Sequence, residues 1–221
     1  NISRYFSKKK FQLSATNDKS AGASQIFADA SFNYKENITE KKLFLWKFAL
    51  EGKADYTDSM IGWKKTESIL ELSSVKPVER KMEYLKIPVP PNTPVEITPF
   101  LAWINTIHPT DPVIKAGVAY LRFLLIRPFE NDNGRIARNI ANIFLSRADN
   151  IPERFYSIAT QIEQVRTQYN EVLLHTQTGT PDITEWLRWF LSCGENALIN
   201  AEEALTRVMN KSKFFDKYRL T

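Results

Sequence analysis

The 221-residue sequence predicts an all-α domain that carries one small β-hairpin. Three observations carry this expectation. Apolar residues recur at helical spacing along most of the chain, and several of those runs open on a capping residue. Glycine is scarce, at seven residues, which argues against a sandwich or barrel built on many tight turns. β-Prone residues gather in one place only, on either side of a turn-like segment.

The elements follow in order. The first 37 residues are polar and weakly patterned, and they read as the remnant of an N-terminal helical region. From Thr39 the signals sharpen: "TEKKLFLWKFAL" puts Leu43, Trp46 and Leu50 on one helical face behind a Thr39 cap. The stretch "TESILELSSVKPVERKMEYLKIP" flanks "SSVKPVER" with β-prone residues, so a hairpin is expected over about 66–88. In "TPVEITPFLAWINTI", Thr93 and Glu96 form a capping box with Pro94 at the first helical position. "DPVIKAGVAYLRFLLI" repeats this with Asp111 and Pro112, and its apolar residues run nearly all the way round, as in a helix at the centre of a fold.

A helix from about Asn133 to Arg147 is expected next. "SIATQIEQVRTQYNEVLLH" then carries Ile158, Ile162, Val165, Tyr169 and Val172 at helical spacing. "DITEWLRWFLSCGENALINAEEALTRVM" opens on Asp182 with Glu185 and predicts a long helix in which Trp186, Leu187, Trp189 and Phe190 form a core face. Residues 38–215 therefore read as one domain and 216–221 as a tail.

Composition narrows the function classes. Net charge is +5, but 25 acidic residues are interspersed among 30 basic ones, and only "SKKKF" and "NKSKFFDKYR" cluster positive charge. The lone Cys193 sits in apolar "WFLSCG" and reads as a buried thiol, so no disulfide framework is expected. No signal peptide or 18-residue apolar span is visible, and a cytoplasmic location without membrane contact is the expectation. Two histidines, His108 and His175, without ligand spacing offer no structural zinc site; both read as helix-end residues.

One stretch asks for more than a loop. "LLIRPFENDNGRIARNI", Leu124 to Ile140, sets Arg127, Glu130, Asn131, Asp132, Asn133 and Arg135 between two segments that read as core. Its end, "NDNGRIAR", falls where a loop becomes a helix, and free amides with the helix dipole make such an end attractive to anions. Asn133 and Gly134 tolerate left-handed conformations and suit a tight turn there. Arg135 and Arg138 lie one turn apart, and arginine forks match phosphate oxygens. Two readings stay open on composition: a seat for a phosphate-bearing ligand, or an internal cluster in which Glu130 and Asp132 neutralise the arginines.

"RPFENDNGRIAR" resembles the signature of the Fic family, H-x-F-x-[D/E]-G-N-G-R-x-x-R. Active members mostly transfer AMP from ATP, with Mg²⁺, to a protein hydroxyl; others transfer other phosphate-containing groups. "FLAWIN", "DPVIKAGVAYLRFLLI", "FYSIATQIEQVRTQYNEVL" and "DITEWLRWFL" resemble family sequence in the same order. The resemblance covers about residues 33 to 215. It implies a Fic-like helical domain with a β-hairpin flap, a nucleotide partner, and a protein or peptide target gripped by the flap through Met82, Glu83, Tyr84 and Leu85.

The departures fall on the reactive positions. Arg127 stands where the family has its catalytic His, Asn131 where it has the acidic Mg²⁺ ligand, and Asp132 where it has the first Gly of G-N-G. Pro128 and Phe129 keep the structural part of the motif, and Asn133, Gly134, Arg135 and Arg138 keep its nucleotide-facing part. Arginine stays protonated and cannot serve as a base, so the resemblance implies impaired AMP transfer, no expected metal at Asn131, and a residual nucleotide or anion site in a regulatory role. Arg127 and Asp132 either pair with each other, or Arg127 joins Arg135 and Arg138 around an anion. The alternatives are a transferase with altered chemistry, using Asp132 or Glu130, and a regulatory adaptor.

Three further positions follow from the resemblance. The family's self-inhibitory helix carries a blocking Glu, and "ASQIFA" places Phe27 there. Tyr169 and Asn170 fall where the family often has a Tyr pair near the nucleotide; Tyr169 reads as core, and Asn170 as a contact to base or ribose. "LTRVMNKSKFF" resembles the stretch that leads into a winged-helix domain in some members, so nucleic acid is expected only through a domain outside this chain.

Overall fold

The computed structural model describes residues 19–52, 62–64, 68–72, 83–87, 93–107, 109–152 and 154–218. Met82 of the expected flap, the tip of the hairpin, His108 and the first 18 residues lie outside them. The described residues form two compact units, one from residues before 73 together with 83–152, the other from Arg154 onward.

The first unit contains α1 (Lys19–Phe32), α2 (Glu40–Glu51), β1 (Ser68–Leu72), β2 (Glu83–Ile87), α3 (Thr93–Asn105), α4 (Pro112–Ile126) and α5 (Asn133–Asp149). The Thr39 hydroxyl accepts the Lys42 amide and so starts α2, and Gly52 ends it in a left-handed conformation. Leu43, Trp46 and Leu50 are almost wholly buried. Each such side chain contributes on the order of 1.5–3 kcal/mol by leaving water. Asp111 caps α4 by accepting the amides of Val113 and Ile114, with Pro112 in the first turn.

α4 is buried on nearly every side: Ala116, Ala119, Tyr120, Leu121 and Phe123 leave at most 1% of their surface exposed. It packs against α5 and α3, while α1 packs against α2 and α5. A Cβ on Gly22 of α1 would strike the carbonyl group of Ala49, so the close approach of α1 to α2 requires a glycine there. The buried carboxylate of Asp29 ties the same interface together. It accepts from Trp46 Nε1 at 2.6 Å and from Asn33 Nδ2 at 2.6 Å, and it pairs with Lys42 at 3.1 Å.

β1 and β2 pair antiparallel, with Ser68 opposite Ile87 and Leu72 opposite Glu83. The other elements among the described residues are helices.

The second unit contains α6 (Ile158–Gln164), α7 (Arg166–Thr178) and α8 (Thr184–Tyr218). Helical spacing from Ile158 to Val172 suggests one helix, but the chain makes two. Val165 leaves helical geometry at φ −110 and ψ 33 and serves both as the end of α6 and the start of α7. No Gly or Pro marks the break; a β-branched residue with weak helix propensity sits at it. Trp186, Phe190, Cys193 and Ala197 form the buried stripe of α8, and Tyr169 stacks on Trp189 at 5.4 Å between centroids. Beyond Ala197 the helix exposes Leu205, Val208, Met209, Phe214 and Phe215. His175, in the last turn of α7, reaches Glu185 at 2.7 Å on the surface.

Candidate functional site

The loop between α4 and α5 is built by two left-handed residues. Arg127 closes α4 at φ 45, with its amide on the Phe123 carbonyl, and Asp132 precedes α5 at φ 63. The turn was expected at Asn133 and Gly134, yet both lie inside the first turn of α5, and neither has a positive φ. The left-handed position is the one that suits glycine best; aspartate occupies it at a cost of roughly 1–2 kcal/mol, less where its short carboxylate finds local partners.

Asn133 spends its side chain on the loop itself. Its Oδ1 accepts the Phe129 amide at 3.1 Å and its Nδ2 donates to the Phe129 carbonyl at 2.7 Å, both buried. This closed pair fixes Pro128 and Phe129 against the start of the helix. Phe129 is buried between Trp63, Phe44 and Phe123, with centroids 5.4, 6.0 and 6.5 Å away. The Lys64 amide donates to the Pro128 carbonyl at 2.8 Å, so residues 62–64 lie along the loop as a strap.

Two lysines that the sequence pattern did not single out set the electrostatics. Lys47, only 4% exposed, comes from α2. Its ammonium donates to Asn131 Oδ1, lies 3.1 Å from Asp132 Oδ2, and lies 3.2 Å from Glu51 Oε1. Asp132 also meets Arg135 Nη1 at 3.5 Å. The Asp132 carboxylate is thus directed at Lys47 and Arg135. The only sign of Lys47 in the sequence is a lysine inside the apolar run "LFLWKFAL". Lys64 is buried too; burial first, and the neighbouring Arg127 guanidinium second, hold its ammonium below the usual lysine range, with Glu130 opposing.

The mouth of α5 is open. Among the described residues Asp132 makes no side-chain cap bond, and none lies within 4 Å of where a Cβ on Gly134 would be. The Arg135 side chain is half exposed and Arg138 is half-buried one turn on. An N-terminus without a side-chain cap, the helix dipole and the Arg135 side chain form an arrangement that can hold an anion. Asn170 belongs to the second unit, where it is buried. In α1, the Phe27 side chain is half exposed.

The domain is helical apart from one hairpin, and α4 and α5 at its centre are joined by a loop that the Asn133 side chain clips shut. Residues 55–145 match the model of the Fic/DOC family. Two curated proteins named "Protein adenylyltransferase Fic", from Drosophila virilis and Drosophila ananassae, are each 29% identical over 137 residues. The matches cover 58% of this chain but only 27% and 26% of those proteins. A crystal structure of a Fic-domain-containing signalling protein from Bacteroides thetaiotaomicron superposes with a TM-score of 0.57 at 20% identity. It covers 83% of this chain and 68% of that one, a likeness of fold.

Proposed function

We propose that this chain is a Fic-type domain that keeps an anion seat at its motif loop and has lost AMP transfer, acting as a regulatory or signalling nucleotide binder. The Drosophila relatives are named adenylyltransferases, but the matched region spans about a quarter of their length. The observation that carries the proposal is the Lys47 clamp on Asn131 and Asp132.

AMP transfer needs a base for the attacking hydroxyl. Arg127 stands at the base position and stays protonated; loss of a general base costs about 10²–10⁴-fold in rate. Mg²⁺ binding needs hard anionic oxygen. The oxygen at the metal position is the neutral Asn131 Oδ1, and it accepts a hydrogen bond from an ammonium group. A divalent cation there would face Lys47 at close range, so these residues do not fit Mg²⁺.

The seat that remains suits phosphate, and ATP is the family's nucleotide. The open front of Gly134 leaves room for an oxyanion at the first turn of α5, and Arg135 and Arg138 supply planar forks. Among the described residues each hairpin strand pairs only with the other, and β2 with Glu83, Tyr84 and Leu85 would offer backbone pairing to an extended segment of a partner protein, as a flap would.

Calorimetric titration with ATP, with and without Mg²⁺, tests this reading. The expected result is micromolar binding, about −8 kcal/mol, that is insensitive to Mg²⁺ and lost in the Arg135→Ala/Arg138→Ala double variant. Binding that appears only with Mg²⁺, or only after Arg127→His, Asn131→Asp and Asp132→Gly are introduced together, would overturn it.

A further inference from the structure

Away from the motif loop, the first unit holds a cavity of about 450 Å³ between the start of α4, the end of α5 and the segment after α1. Three cations line it, Lys35, Lys115 and Arg147, and no carboxylate is among the lining residues. Lys115 and Arg147 are held in place by neutral groups. Lys115 Nζ donates to the Thr106 carbonyl at 2.7 Å and lies over the rings of Trp103 and Phe144, 5.4 and 5.3 Å from their centroids. Arg147 donates through Nε to the Tyr34 carbonyl at 2.7 Å and through Nη2 to the Glu36 carbonyl at 2.9 Å, which leaves Nη1 for another partner. Among the described residues neither cation makes a salt bridge.

Burial lowers the proton affinity of both groups, and Arg147 lowers that of Lys115 further. A fold that gathers cations around an open cavity without a counter-charge holds them at a cost, which an incoming anion would relieve. The nearest helix end is already served, since Asp111 accepts the first amides of α4, so the attraction comes from the side chains. Ile107 and Phe144 add apolar wall, and the volume falls within the ordinary range of small-molecule sites.

We propose that this cavity is a second ligand site, distinct from the motif loop, for a small phosphate monoester: Lys35, Lys115 and Arg147 hold its phosphate, and Phe144 and Ile107 pack against its organic part. The site would give the domain a metabolite input separate from the nucleotide seat.

The test is calorimetric titration with phenyl phosphate at low salt. It uses the natural protein, Lys35→Glu, Lys115→Met, and the Arg135→Ala/Arg138→Ala loop variant. Lys35 is exposed, so its reversal leaves the fold intact even if Lys115→Met perturbs it. The expected result is binding tighter than about 1 mM in the natural protein and in the loop variant, weakened about tenfold or more by each cavity substitution. Inorganic phosphate should bind more weakly than phenyl phosphate. The proposal fails if the natural protein shows no binding, if Lys35→Glu binds as tightly as the natural protein, or if only the loop variant loses affinity.

Discussion

The ammonium of Lys47 lies 3.1 Å from Asp132 Oδ2, joining the middle of α2 to the residue that starts α5. One buried cation on α2 thereby holds two consecutive residues of the motif loop, because the same ammonium also takes Asn131. Asp132 stays in a left-handed conformation that glycine would adopt freely, with Lys47 and Arg135 as compensating partners. Asn131 and Asp132 thus share one physical partner.

Lys47→Met keeps the buried stem and removes the charge. It should destabilise the protein by about 2 kcal/mol, the usual worth of hydrogen bonds to a charged group. Asp132→Gly should fall within about 1 kcal/mol of the natural protein, because relief of the left-handed strain offsets the lost ion pair. Urea denaturation of both variants checks the order.

Gly22→Ala places a methyl group against the carbonyl of Ala49. Helix propensity alone would favour alanine, so the sign is diagnostic: overpacking should cost about 1–3 kcal/mol. A lowered thermal midpoint is the expected result, and a raised one would mean that α1 and α2 do not meet as described.

Arg138→Ala should weaken ATP binding about tenfold, and Arg135→Ala by less, because Arg135 already shares Asp132. Raising the salt concentration should weaken the Arg135 contribution more than that of the less exposed Arg138. Titrations of the two single variants at two salt concentrations separate these effects.

Burial pushes the Cys193 thiol from an ordinary 9.0 to about 11. The native state keeps the thiol protonated where the unfolded chain has lost it. The contribution to stability is therefore fully present below pH 9.0 and is lost as pH rises towards about 11. Cys193→Ala should flatten that part of the stability profile, measured by urea denaturation. The native thiol should resist alkylation at pH 8 until the protein unfolds.

Much of the helical frame was legible because its signals are local. Leu43, Trp46 and Leu50 announce a buried face by spacing, and Thr39 and Asp111 make the cap bonds their sequence positions suggest. The motif loop was legible as a concentration of charge between two core helices. Its wiring was not. Which residue takes φ above zero depends on how the loop closes, and the Asn133–Phe129 clip puts Arg127 and Asp132 there instead of Asn133 and Gly134. Lys47 and Lys64 escaped notice because their partners lie far along the chain, and a lysine in a helix ordinarily belongs to a solvated face. The break at Val165 carries no Gly or Pro to mark it.

The most direct test of the central claim is transfer of label from α-phosphate-labelled ATP, with Mg²⁺, to protein. It would be followed over time for the natural chain beside the Arg127→His/Asn131→Asp/Asp132→Gly variant. On the proposed reading, in which Arg127 takes the place of the base while Lys47 holds Asn131 and Asp132, the natural chain should stay unlabelled under conditions where its ATP binding is measurable. Sustained, time-dependent labelling by the natural chain would contradict the account.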